Sequence, residues 1–196
     1  MTATAWPLLA ESHDALLNAV KGVGADQWDL PTPCDQWTVT QVLQHAAGDQ
    51  LAYYAAITGG EGSAENPFAP SGTPLSDPVA HVAAATEAAA TAWAGIAADD
   101  AAVAVPVPPN TLDAVTGVGA CALDAAVHAW DIAKATGQPQ PLSETAATAI
   151  LIAAKQIVEP LRAWGAYAPA LEPQDGDDAV AALLRYLGRD PEWTAA

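Results

Sequence analysis

Apolar residues recur along this chain at intervals of three and four, and proline and glycine break the pattern between runs. That period marks amphipathic helices. Leu8, Leu9, Ala15, Leu16, Ala19 and Val20 give one face of a first helix from Trp6 to about Gly22, where Gly22 and Gly24 end it. Thr38 fits the N-cap of a second helix, with Gln41 as its capping-box partner. That helix runs to about Thr58 through Val39, Val42, Leu43, Ala46, Ala47 and Leu51, which leaves His45 close to the apolar stripe. Ser76 or Asp77 followed by Pro78 starts a third helix reaching about Ala98. A fourth spans about Leu112 to Thr136 and stops at Gly137. A fifth opens at Ser143-Glu144 and ends near Gly165, and a short one covers about Asp178 to Leu187.

The segments between are legible too. Residues 26–37 hold two prolines and two tryptophans, which suits a fixed loop packed on the helices. Residues Gly59 to Leu75 are rich in Gly, Pro and Ser, and so long a connection reads as a lid over a site. Residues 101–109 are extended and proline-punctuated, a short strand or a connector. Strand signals are too few for a sheet-based fold. The expectation is an all-α four-helix bundle with an additional short C-terminal helix, in one domain over residues 1–196.

Composition narrows the function. Six Lys and Arg stand against 23 Asp and Glu, for a formal net charge of −17, and the cations are scattered singly. Nucleic-acid binding needs a basic patch, and this field repels phosphate and anionic lipid. No run of about 18 apolar residues suggests a membrane span. The N-terminal residues Met1–Pro7 carry no basic and apolar pattern of a signal peptide, so a cytoplasmic protein is expected. The two cysteines, Cys34 and Cys121, make no disulfide framework. Cys34 precedes a helix start, which would lower its pKa, or it is a small buried thiol; the second reading is preferred.

One spacing carries chemistry. Asp124 and His128 lie one helical turn apart in an apolar stretch, so both side chains reach one divalent ion. His45, on a facing helix, is the natural third ligand. Two His and one carboxylate with open positions suit Zn²⁺, with Fe²⁺ or Ni²⁺ as alternatives. The same residues also read as a hydrogen-bonded core histidine and an ordinary i,i+4 pair. Asp131 would orient a neighbouring ligand. Trp37 and Trp130 would pack in or beside the bundle, and Arg162 would form a salt bridge or clamp a carboxylate. His13, flanked by Glu11, Ser12 and Asp14, and His81, in a first helical turn, are expected on solvated faces.

Three motifs in order resemble one family. Asp26-Gln-Trp28, Thr32-Pro33-Cys34-Asp-Gln-Trp37-Thr-Val39 and His45-Ala-Ala-Gly48 are similar to the opening of the mycothiol-dependent maleylpyruvate isomerase-like proteins, a branch of the DinB-like metal-binding superfamily. Asp124-Ala-Ala-Val-His128-Ala-Trp130-Asp131 resembles its second signature, and Leu183-Leu-Arg-Tyr-Leu-Gly188-Arg-Asp190-Pro191 its ending. The resemblance implies a DinB-like bundle with a divalent metal, usually zinc, on His45, Asp124 and His128. It implies a thiol-dependent transferase or isomerase, with mycothiol as cosubstrate and a small electrophile as the other partner. The isomerase carries Glu where this chain has Asp124, and the chain's length leaves no room for its extra C-terminal domain, so maleylpyruvate isomerisation itself is not expected. The rival readings are a non-catalytic bundle binding a metal or small ligand, and a metalloenzyme without a thiol. A homodimer is expected on general grounds.

Overall fold

The computed structural model describes residues 6–195. Among these residues the fold is all-α apart from a hairpin of two two-residue strands and an isolated bridge between Pro31 and Thr38. Its elements in order are α1 (Pro7–Lys21), α2 (Val39–Thr58), α3 (Pro78–Ala94), β1 (Val103–Ala104), β2 (Thr111–Leu112), α4 (Ala114–Ala135), α5 (Glu144–Ala163) and α6 (Ala179–Tyr186). The strands pair antiparallel, Val103 opposite Leu112 and Ala104 opposite Thr111. The architecture is the expected DinB-like bundle with a short C-terminal helix. The reading of Met1–Ala5 for a signal peptide lies outside the described residues. Among those residues no helix is long and apolar enough to cross a membrane.

Side-chain oxygens set most helix starts. Asp77, Asp113, Ser143 and Asp178 each accept the backbone N–H three residues on, and Thr38 with Gln41 forms the full capping box. Such a cap is worth about 1 kcal/mol relative to alanine. The third helix stops at Ala94, earlier than the expected Ala98, because Gly95 turns the chain and Ala97 and Asp100 close a separate loop.

Helix α4 is the axis of the molecule. It packs against α1, α2 and α5, and every residue from Thr116 to Ala133 is buried. Small residues permit this. A Cβ on Gly119 would stand 2.6 Å from the Cβ of Ala153, so glycine lets α4 and α5 approach. Leu16, Val42, Leu43, Leu123, Ile132 and Ile150 fill the core around it.

Two loops close one end of the bundle. The 26–37 loop is ordered, as expected: Thr32 Oγ1 donates to the carbonyls of Cys34 and Trp37. The Gly59–Leu75 loop lies back along α2, where Gln41 donates to the Pro70 carbonyl and Gln44 to that of Thr73. Gly48 makes room for it, since a Cβ there would meet Pro67 Cβ at 2.9 Å. The loop thus forms a seated wall beside the helix that carries His45.

Candidate metal centre

His45 comes from α2, and Asp124 and His128 come from α4, so the α2–α4 contact builds the group. Their ligand-type atoms lie within 4.8 Å of one another, and all three residues are buried. His45 Nε2 is 3.3 Å from Asp124 Oδ1, and His128 Nε2 is 3.4 Å from the same oxygen. The imidazole rings stand edge to face at 4.7 Å.

The other ring nitrogens are committed elsewhere. His45 Nδ1 lies 2.8 Å from the Pro67 carbonyl, which only accepts, so that nitrogen carries the proton. His128 Nδ1 donates to Asp131 Oδ2 at 2.9 Å. Both bonds leave the Nε2 lone pairs for a shared partner, the arrangement that metal-ligating histidines show. Asp131 is in turn held by Arg189, with Nε 2.9 Å from Oδ1 and Nη2 2.9 Å from Oδ2. A fully buried Asp131 thus has a charged partner, and the chain Arg189–Asp131–His128 fixes the ring. Asp131 thus bonds to His128, the residue beside which it was expected to act.

The second oxygen of Asp124 is fixed as well. Gln50 Nε2 donates to Asp124 Oδ2 and to the Cys121 carbonyl, both at 3.3 Å. Gln50 Oε1 accepts from His13 Nε2 at 2.8 Å and from Cys121 Sγ at 3.1 Å. This corrects the expectation for His13, which is 5% exposed. Leu9, His13, Leu16 and Val20 share one helical face, and the polar neighbours Glu11, Ser12 and Asp14 hide that period in the sequence. His81 is exposed, as expected.

Electrostatics fit a cation. Burial works against charge on His45, but its hydrogen bond to Asp124 and the charges of Asp124 and Asp49 outweigh it and raise its pKa to about 9. Burial holds His128 below its ordinary value against the pull of Asp124 and Asp131. Asp49, one turn beyond His45 on α2, is 7% exposed and has no hydrogen bond or ion pair among the described residues. Burial and the neighbouring Asp124 push it up to about 8. Two carboxylates and two neutral imidazoles would be balanced by a dication, and the donor set of two nitrogens and an oxygen suits one. Sequence reasoning missed Asp49, Gln50 and Arg189; only the spacing of Asp49 from His45 offered a local signal.

Other expected residues fall around this group. Trp37 packs on His45 with ring centroids 4.7 Å apart, and Phe68 stands 5.9 Å from the same ring. Trp130 is buried in the core. Cys34 is partly buried, and its sulfur lies within 4.8 Å of donor atoms of His128 and Asp131. Burial, with Asp131 adding, raises its pKa to about 12, so the helix start does not activate it. Arg162 pairs with Glu159 at 3.3 Å. A cleft of about 290 Å³ lined by Trp130, Lys134, Gln140 and Asp178 includes none of the three ligand-type residues.

Residues 9–133 match the family described as the mycothiol maleylpyruvate isomerase N-terminal domain, a stretch that includes His45, Asp124, His128 and Asp131. Two curated relatives, uncharacterized proteins of Mycobacterium tuberculosis strains CDC 1551 / Oshkosh and ATCC 25618 / H37Rv, are each 33% identical over 159 residues, covering 79% of this chain and 80% of the relative. No solved structure matches the chain.

Proposed function

Because the chain belongs to the mycothiol maleylpyruvate isomerase N-terminal domain family, we propose that it binds a divalent metal, zinc first, on His45, Asp124 and His128. On this reading it is a thiol-dependent transferase or isomerase that joins a low-molecular-weight thiol, mycothiol by family, to a small electrophile. The observation that carries the reading is the commitment of both Nδ1 groups, which leaves two Nε2 lone pairs beside one carboxylate oxygen. His45, Asp124 and His128 would hold the ion, which when bound would supply the charge that keeps a coordinated thiol as thiolate at neutral pH.

The chain's own residues do the rest. Pro67 and Asp131 fix which nitrogen of each histidine is free, and Gln50 fixes the rotamer of Asp124. Trp37 and the Pro67–Phe68 segment cover His45 and limit water at the ligand set. Three protein ligands leave a position for the thiol sulfur.

The test is metal content by mass spectrometry on untagged protein beside His128→Ala, then thiol consumption with monochlorobimane. One ion per chain, lost in the variant together with turnover, is the expected result. Full metal occupancy in His128→Ala overturns the ligand set. A metal-replete protein inert toward every thiol tried overturns the transferase and leaves a binding bundle.

A further inference from the structure

We infer that His13, acting through Gln50, holds Asp124 to a bound ion by one oxygen and so keeps open the position on that ion that the thiol would take. The inference rests on the proposed ligand set and deepens it: His13 and Gln50 are positioning residues of that site.

The amide of Gln50 can face only one way. Its Nε2 lies 3.3 Å from the Cys121 carbonyl and 3.3 Å from Asp124 Oδ2. A carbonyl and an ionised carboxylate only accept, so the NH₂ group must stand on that side. Gln50 Oε1 then faces His13 Nε2 at 2.8 Å and Cys121 Sγ at 3.1 Å. His13 therefore donates from Nε2, as the Nε2–H tautomer. Burial lowers its pKa and keeps the ring neutral. A thiol is a weak donor, so His13 makes the stronger of the two bonds. Turning the amide over would set Oε1 against the Cys121 carbonyl and Asp124, and the NH₂ group against a ring N–H. His13 and Cys121 together lock it.

The lock reaches the ligand. Oδ1 of Asp124 is the oxygen that converges with His45 Nε2 and His128 Nε2, at 3.3 and 3.4 Å. Oδ2 accepts from Gln50, its one hydrogen-bond partner among the described residues. A carboxylate holds a cation through one oxygen or two. Without the Gln50 N–H, Oδ2 is free to turn to the ion and fill the open position. His13 and Gln50 are 5% and 0% exposed, so bulk solvent does not stand in for the lost donor. Helix α1 thus acts on a site to which it contributes no ligand.

The test uses cobalt(II) in place of zinc, because its visible absorption weakens as the coordination number rises. Full-length wild-type protein, His13→Leu and His13→Gln are loaded with cobalt and titrated with β-mercaptoethanol in the absence of oxygen. Leucine fills the space with no donor, and glutamine keeps an N–H for Gln50 Oε1. Expected in His13→Leu are a weaker visible band and an apparent thiol affinity about tenfold lower, the low end of what partners behind a metal ligand contribute. His13→Gln restores both. An unchanged band or an unchanged thiol affinity in cobalt-loaded His13→Leu overturns the inference. So does an equal loss in both variants, because packing at His13, and not its N–H, would then be what matters. A ring-nitrogen NMR spectrum of the wild-type chain needs no variant: Nε2–H is expected at His13, and Nδ1–H overturns the inference. Wild-type protein that takes up no cobalt removes the ligand set and this inference with it. A band change reversed by glutamine, with no thiol bound by any form, retains the one-oxygen hold and removes the thiol reading.

Discussion

The two halves of α4 are equally buried and do opposite work. From Thr116 to Leu123 the helix presents glycine, alanine and other compact residues, and its neighbours come close because nothing stands in the way. From Asp124 to Asp131 it buries two carboxylates and a histidine: Asp124 draws Gln50 and His45 from α2, Asp131 draws Arg189 from the C-terminal segment, and His128 bonds to Asp131 on the helix itself. The first half is held by shape and tolerates no added volume. The second is held by hydrogen bonds and tolerates no lost partner. One helix can serve both roles because the tightly packed half fixes its axis, which in turn sets where the ligand-type atoms fall.

Removing a partner from the polar half should have the largest effect. Arg189→Met leaves Asp131 buried without its counter-charge and should lose about 3–5 kcal/mol of stability. Urea unfolding measures it, and a loss under half that size would mean that Asp131 finds water or a proton instead. Adding volume to the apolar half comes next. Gly119→Val drives a side chain into Ala153 and should cost about 1–3 kcal/mol by overpacking, while the folded fraction keeps its full metal content. Metal loss in Gly119→Val would show that the two halves are coupled.

Acid probes the polar half alone. His45 holds a proton up to about pH 9 when no metal is present. Metal binding must displace that proton, so apparent affinity should fall about tenfold for each pH unit below 9. It should fall more steeply below pH 8, where Asp49 also takes up a proton. His128, held low by burial, adds nothing over this range. A competition titration with a chromophoric chelator checks the slope, and a flat profile would remove His45 from the ligand set. The smallest effect belongs to Thr38→Ala, which opens the first turn of α2 and should cost about 1 kcal/mol. His45 lies nearly two turns further in, so metal content should not change.

Much of this was legible in the chain because it is local. The helix period, the Thr38–Gln41 box, the caps at Asp77 and Ser143 and the i,i+4 pair Asp124–His128 depend on residues within a turn or two of one another. The choice of His45 as their partner followed from its place on an apolar stripe. What failed was also local in cause: the acidic neighbours of His13 masked a buried face, and α3 ended at Ala94, before Gly95 and short of the expected Ala98.

The sequence by itself determined the helices, their starts and the residue types able to meet at a cation. Only the tertiary structure decided which of them meet. Gln50 reaches Asp124 across 74 residues, and Arg189 reaches Asp131 across 58. It also left Asp49 without a partner beside both histidine and carboxylate. No period or motif encodes such pairings, because a buried charge takes its partner from whichever helix packing brings alongside, and that depends on the whole core at once.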